Sequence, residues 1–238
     1  MTDTLLPVTL TDATVRRKGR NLLGPITHRL DGSGITIIIG PNGSGKTTLL
    51  RALHGLERLD DGRIEWAVPV AKAHRRQAYV FQTPIMLRRS VLANLRYPLT
   101  LTGTSRKVAD TAAKDWAARI GLDHMLESHA PRLSGGERQK LALARALITA
   151  PEVLLLDEPS ASLDGRSTRE IESLLHLASA QGTRIIMATH DMGQARRLAG
   201  DALFLLSGRI HEHGAAAEFF GAPKTAELSS FLKGDIVE

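Results

Sequence analysis

ITIIIGPNGSGKTT, residues 35–48, decides how the rest of the chain is read. It opens with five β-branched residues and no polar alternation, the pattern of a strand buried on both faces in the middle of a parallel sheet. The run stops at Gly40, and TTLLRALHGL then takes on helical character, with Gly55 as its stop. Between strand and helix, Gly40-Pro41-Asn42-Gly43-Ser44-Gly45-Lys46-Thr47 fits G-x-x-x-x-G-K-[ST]. Glycines let the backbone curl until successive N–H groups face phosphate oxygens. In this pattern the lysine, Lys46, reaches the β- and γ-phosphates and the Thr47 hydroxyl meets Mg²⁺. The dipole of the following helix adds to the attraction for anions.

Working outward, residues 5–16 and 26–30 read as short, partly alternating strands, as do GRIEWAV and QAYVFQ. Residues 83–150 change character and read as mainly helical. Ser90 is placed to cap a helix there, and Val108, Ala112, Trp116 and Ile120 recur every four residues as one face of an amphipathic helix. Strand patterns return at VLLLD (153–157) and RIIMATH (184–190), with a helix around 170–180 between them. ALFLLSGRIHEHG reads as two strands joined at Ser207-Gly208. The expectation is one α/β domain over residues 1–238, with a helical insert at 83–150.

The 238 residues include no cysteine, which excludes disulfides, thiolate catalysis and cysteine-held metals. The net charge of +6 is compatible with nucleic acid, anionic lipid or phosphate ligands. The basic pairs are scattered without interleaved aromatics, so no nucleic-acid partner is expected. No apolar run is long enough to span a bilayer. The start, MTDTLLPVTLTD, lacks the basic and apolar regions of a secretory leader.

Asp157-Glu158 closes the buried run VLLLD, and C-terminal strand ends form the ligand crevice of open α/β sheets. One acid there suits Mg²⁺ and a second can orient or deprotonate a water. His190 closes the next buried run, where it is either a structural histidine or a group beside the γ-phosphate. A second glycine-rich helix start, LSGGERQK (133–140), offers its N–H groups to an anion. Ser134 also reads as a plain helix cap, with the glycines easing the turn.

The order of residues 40–48, Gln82, LSGGERQK, Asp157-Glu158, SASLD (160–164) and His190 resembles the ATP-binding subunit of an ABC transporter, over nearly the whole chain. The resemblance implies a P-loop NTPase core with a mainly parallel sheet, an N-terminal antiparallel β portion and a helical signature subdomain. It implies ATP and Mg²⁺ as ligands. Lys46, Thr47 and Thr48 would bind phosphates and metal, and Asp157 would support the metal. Glu158 would be the catalytic base and His190 a γ-phosphate contact. Gln82 would sense Mg²⁺ and the attacking water and link the site to a membrane subunit. Ser134, Gly135 and Gly136 would meet the γ-phosphate held by a second copy, with Asp164 in the loop that communicates between the two sites. The family's aromatic residue that stacks on adenine is replaced here by Arg16 or Arg17, whose guanidinium planes can also stack on a base.

Three classes compete for what the ATPase drives: a membrane transporter, a soluble ATPase acting on ribosomes or DNA, and a regulatory nucleotide binder. Glu158 argues against the last. The resemblance favours an importer motor on the cytoplasmic face of the inner membrane, working with separate membrane-spanning permease subunits and an extracytoplasmic substrate-binding protein. An exporter subunit and a soluble ATPase are the alternatives. PIMLRRSVLANL and FLKGDIV look most like importers of tungstate, molybdate and phosphate. Pro84, Ile85, Met86 and Leu87 form an apolar patch that is either core or a docking surface for the permease.

Overall fold

The computed structural model describes residues 4–161 and 163–237. Residues 1–3 of the stretch read for a leader, Ser162 within SASLD, and residue 238 lie outside the described residues. β1 (Val8–Arg17) and β2 (Arg20–Leu30) form a hairpin turning at Lys18 and Gly19, both at positive φ as a tight two-residue turn requires. Next come β3 (Ile35–Ile39), α1 (Lys46–His54) and β4 (Asp61–Trp66). β4 joins the free edge of β1, giving an antiparallel sheet of order β2-β1-β4.

The larger sheet takes β3 together with β5 (Gln77–Val80), β6 (Val153–Asp157), β7 (Arg184–Ala188), β8 (Asp201–Leu206) and β9 (Arg209–Ala215). Its order is β5-β6-β7-β3-β8-β9. All its pairings are parallel except the β8–β9 hairpin. Strand periodicity sorts its side chains into two cores. Ile37, Leu154, Leu156, Met187 and Phe204 face one cluster, shared with the helices. Ile38, Leu155, Ile186 and Leu203 face the other, under α1 and the antiparallel sheet. Each such fully buried side chain contributes about 1.5–3 kcal/mol, which is why the runs read from sequence show no polar alternation.

α2 (Val70–Ala73) is a single turn before β5. Residues 83–150 hold α3 (Val91–Leu101), α4 (Arg106–Arg119), α5 (Gly135–Leu147) and two 3₁₀ turns. Ser90 caps α3 by accepting from Ala93 N. The buried face of α4 is not the one expected. Ala109, Ala113 and Ala117 are fully buried, whereas Val108 is 59% exposed. α4 packs closely on α3, and a stripe of methyl groups permits that approach where valine and tryptophan do not. Trp116 and Ala112 flank the stripe, partly buried, and Ile120 is buried just beyond the helix end.

β7 also ends earlier than expected, at Ala188 rather than His190. Asp191 turns the chain by capping α7 (Met192–Leu198), accepting from Gln194 N, while its own N–H donates to Thr189 Oγ1. His190 therefore sits on a loop. α6 (Gly165–Ala180) links β6 to β7, and α8 (Ala216–Gly221) and α9 (Ala226–Lys233) follow β9. Among the described residues no helix is long and apolar enough to cross a membrane.

Candidate nucleotide site

The loop between β3 and α1 is built on glycines with no substitute. Gly40, Gly43 and Gly45 have φ of 152°, 80° and 103°, a region costly for other residues. A Cβ on Gly40 would lie 2.1 Å from Leu205 O, and one on Gly45 would lie 2.9 Å from Leu22 O. A Cβ on Gly43 would meet nothing within 4 Å. That position is open towards a cavity of about 630 Å³ lined by Asn42, Gly43, Gly45, Lys46, Thr47 and Thr48. Lys46 is almost wholly buried, and its Nζ donates to the carbonyls of Gly40 (2.8 Å) and Pro41 (3.0 Å). Burial lowers its pKa, and the carboxylates of Glu158 and Asp157 oppose that shift. Ser44 Oγ is buried without a hydrogen-bond partner. A curled loop, open glycine surface, a buried ammonium and an orphaned hydroxyl fit a bound polyphosphate.

The acids arrive from the adjoining strand. Asp157 ends β6, and its Oδ1 accepts from Thr47 Oγ1 at 2.9 Å. Its Oδ2 accepts from Tyr79 OH at 3.3 Å. Burial raises the Asp157 pKa, while the Thr47 and Tyr79 hydrogen bonds oppose the rise. Burial, then the neighbouring Asp157 carboxylate, push the Tyr79 phenol well above its ordinary value, so it remains a donor. Among the described residues no group of three or more His, Cys, Asp or Glu is placed to hold a metal. Mg²⁺ bound with nucleotide needs only one or two carboxylates besides the phosphates, and the hard oxygens of Thr47 and Asp157 match that requirement.

Glu158 lies immediately beyond, at φ 48°, a left-handed backbone that is uncommon outside glycine and clusters at functional sites. Its N–H donates to Ala188 O, which pins the turn to the end of β7. Glu158 Oε2 accepts from Gln82 Nε2 at 3.1 Å and lies 3.0 Å from His190 Nδ1. Gln82, Glu158 and His190, separated in sequence, thus meet at one carboxylate oxygen on the cavity wall.

Ser134, Gly135 and Gly136 do not line this cavity. They open α5 with a complete capping box, in which Ser134 Oγ accepts from Glu137 N while Glu137 Oε2 accepts from Ser134 N at 2.8 Å and from Ser134 Oγ at 2.7 Å. Their neighbour is the start of α6, where Asp164 caps Ser167. A Cβ on Gly136 would lie 2.7 Å from Ser167 Oγ. Arg17 does not line the cavity either. Its guanidinium is paired with Glu57 at 3.2 Å, and Arg16 too is absent from the lining. The apolar contribution from this side is Leu22, which carries no sequence signal because it reads as an ordinary strand residue. Tyr79 likewise hides in the alternation of QAYVFQ.

A parallel sheet, a glycine loop closing on a helix, and a threonine–aspartate pair beside it define a P-loop nucleoside triphosphatase. Comparison with known proteins narrows this: the ABC transporter family matches residues 23–161. A tungstate uptake system ATP-binding protein of Peptoclostridium acidaminophilum is 38% identical over 82% of this chain and 92% of its own length. A phosphate import ATP-binding protein of Natronomonas pharaonis is 37% identical over 92% of this chain and 84% of its own. A solved dimeric ATP-binding cassette, in a post-hydrolysis state with ADP and phosphate, has a TM-score of 0.78 at 24% identity, covering 88% of this chain and 98% of that one. The chain belongs to the ABC transporter family as an ATP-binding subunit, and it is an ATPase.

Proposed function

We propose that the chain is the motor of an importer of tungstate or a related oxyanion, and that residues 1–238 act as one ATPase domain with the helical part at 83–150 set into the core. The observation that carries the catalytic part is the convergence of Gln82 and His190 on Glu158 Oε2, beside the glycine loop. Glu158 takes the proton from the water that attacks the γ-phosphorus. The P–O bond to ADP breaks, and phosphate leaves. His190 and Gln82 hold the carboxylate in place, and His190 contacts the γ-phosphate. Thr47, Asp157 and Gln82 would hold Mg²⁺, which when bound would offset the charge of the phosphates.

Two copies pair head to tail, so that Ser134, Gly135 and Gly136 of one face the nucleotide of the other. The support is their position outside their own cavity, and the dimeric assembly of the solved cassette. The chain docks on separate membrane-spanning permease subunits at the cytoplasmic face of the inner membrane, and an extracytoplasmic binding protein delivers the oxyanion. An apolar groove of about 370 Å³, bordered by Pro84, Ile85, Leu87, Tyr97 and Leu101, suits a permease helix. Ile85 is 65% exposed there, while Met86 packs against the core.

Glu158→Gln should lower turnover by about 100-fold or more while preserving ATP binding and favouring the dimer. Phosphate release at a near wild-type rate would refute the base assignment. The cargo is tested by ATP-dependent tungstate uptake into cells carrying the chain with its permease. Uptake unaffected by Glu158→Gln would refute the import reading.

A further inference from the structure

The contacts of Asp157 point to a residue that the reaction has not yet used. Both of its oxygens are occupied by hydroxyl donors, but from different elements. Oδ1 takes Thr47, on the helix that follows the glycine loop, and Oδ2 takes Tyr79, on β5. β5 runs parallel to β6 with Tyr79 opposite Leu155. The side chain therefore has to reach two residues along the neighbouring strand, a span that a phenol covers and a serine does not. The guanidinium of Arg51, on α1, acts on the phenol electrostatically and opposes the rise in its pKa. An ionised carboxylate can only accept, so the single phenol proton goes to Asp157. The ring is fixed by edge contact with His54, at 5.6 Å between centroids, and by Phe81 at 4.7 Å.

We propose that Tyr79 is the positioning residue for the metal-supporting carboxylate. By occupying Oδ2 it turns Oδ1 toward Thr47, so that the aspartate and the threonine present oxygens to one cation. It also ties the orientation of Asp157 to α1 through the ring contact with His54. Partners of this kind, one bond behind a metal ligand, orient the ligand and tune its affinity. The proposal rests on the reading of Asp157 and Thr47 as the Mg²⁺ site.

The test is Tyr79→Phe, which keeps the ring and removes one oxygen. Binding of a fluorescent ATP analogue is measured in EDTA and across a Mg²⁺ titration, beside Asp157→Asn and the wild type. The expected result is unchanged binding in EDTA and a half-saturating Mg²⁺ concentration raised about 10-fold. A loss of packing alone would weaken both conditions equally, so an equal loss overturns the proposal. If Asp157→Asn shifts the Mg²⁺ titration and Tyr79→Phe does not, Tyr79 has no positioning role although the metal reading stands. If Asp157→Asn itself leaves the titration unchanged, the metal reading falls and the Tyr79 proposal falls with it.

Discussion

Two glycine-rich helix starts, residues 40–48 and 133–140, look alike in sequence and differ in what holds them. In the first the glycines are required by the chain itself. Gly40, Gly43 and Gly45 lie at positive φ, and at two of them a Cβ would strike a backbone carbonyl. In the second, Gly135 has ordinary helical geometry, and a Cβ there would meet nothing within 4 Å. Nothing within one chain calls for glycine at that position. The first region is finished by its own strands, because Asp157, Glu158, Gln82 and His190 gather around it. The second presents a helix start capped by its own Ser134 and Glu137, beside the cap of α6. A glycine explained from inside is part of a fold. A glycine with no inside explanation suits close approach from outside.

Mixing subunits breaks or upholds this contrast with the largest effect. Lys46→Ala should silence the first region and Ser134→Arg the second, each leaving homodimers inactive. Mixed together they should recover about a quarter of wild-type activity, because random pairing makes half the dimers mixed and each has one undamaged composite site. Phosphate release from the mixture, with dimerisation confirmed, is the readout. No recovery would mean that residues 133–140 serve their own chain.

A pair of alanine substitutions sharpens the contrast in stability. Gly45→Ala forces a side chain into a left-handed backbone at φ 103° and toward Leu22 O, so it should destabilise the fold by about 2 kcal/mol. Gly135→Ala adds a better helix former in open space and should stabilise by about 0.5 kcal/mol. If that face seats a second copy's nucleotide, the stabilised Gly135→Ala variant should nonetheless lose ATPase activity. Denaturant unfolding and phosphate release check the two halves. Full activity in Gly135→Ala would show that the open face carries no phosphate.

Much of this contrast was legible in the sequence, unevenly. The buried strands were readable because a central parallel strand admits apolar side chains on both faces, and Ile35–Ile39, Val153–Asp157 and Arg184–Ala188 all follow that rule. The phosphate loop was readable because backbone curvature imposes residue types at fixed spacing. The buried face of α4 departs from the four-residue period of Val108, Ala112, Trp116 and Ile120 because close helix packing selects Ala109, Ala113 and Ala117 over Val108. Leu22 and Tyr79 were invisible because their roles depend on which strands become neighbours, a property of topology rather than of local pattern. Arg16 and Arg17, aligned by resemblance with the adenine-stacking position, lie outside the cavity lining, and Arg17 pairs with Glu57 at 3.2 Å.

The smallest effect concerns the anion that the second region already holds. A helix N-terminus favours negative charge, and within one chain the carboxylate of Glu137 supplies it. The hydrogen bonds from the Ser134 hydroxyl, then from the Ser134 backbone, lower the Glu137 pKa below its ordinary 4.5. A folded-state pKa depressed in this way contributes stability that is present above 4.5 and is lost as the pH falls through the folded value. Glu137→Gln should therefore cost about 0.5 kcal/mol at neutral pH, and its deficit against wild type should shrink as the pH drops below 4.5. Thermal unfolding of the two proteins from pH 7 to pH 3 measures the gap. A gap that stays constant would mean that the charge does not matter to the cap. In the first region no side-chain carboxylate plays that part: its glycine loop is closed by Lys46, a cation, through Gly40 and Pro41. One helix start carries its own anion, and the other carries a buried cation suited to a ligand's anion.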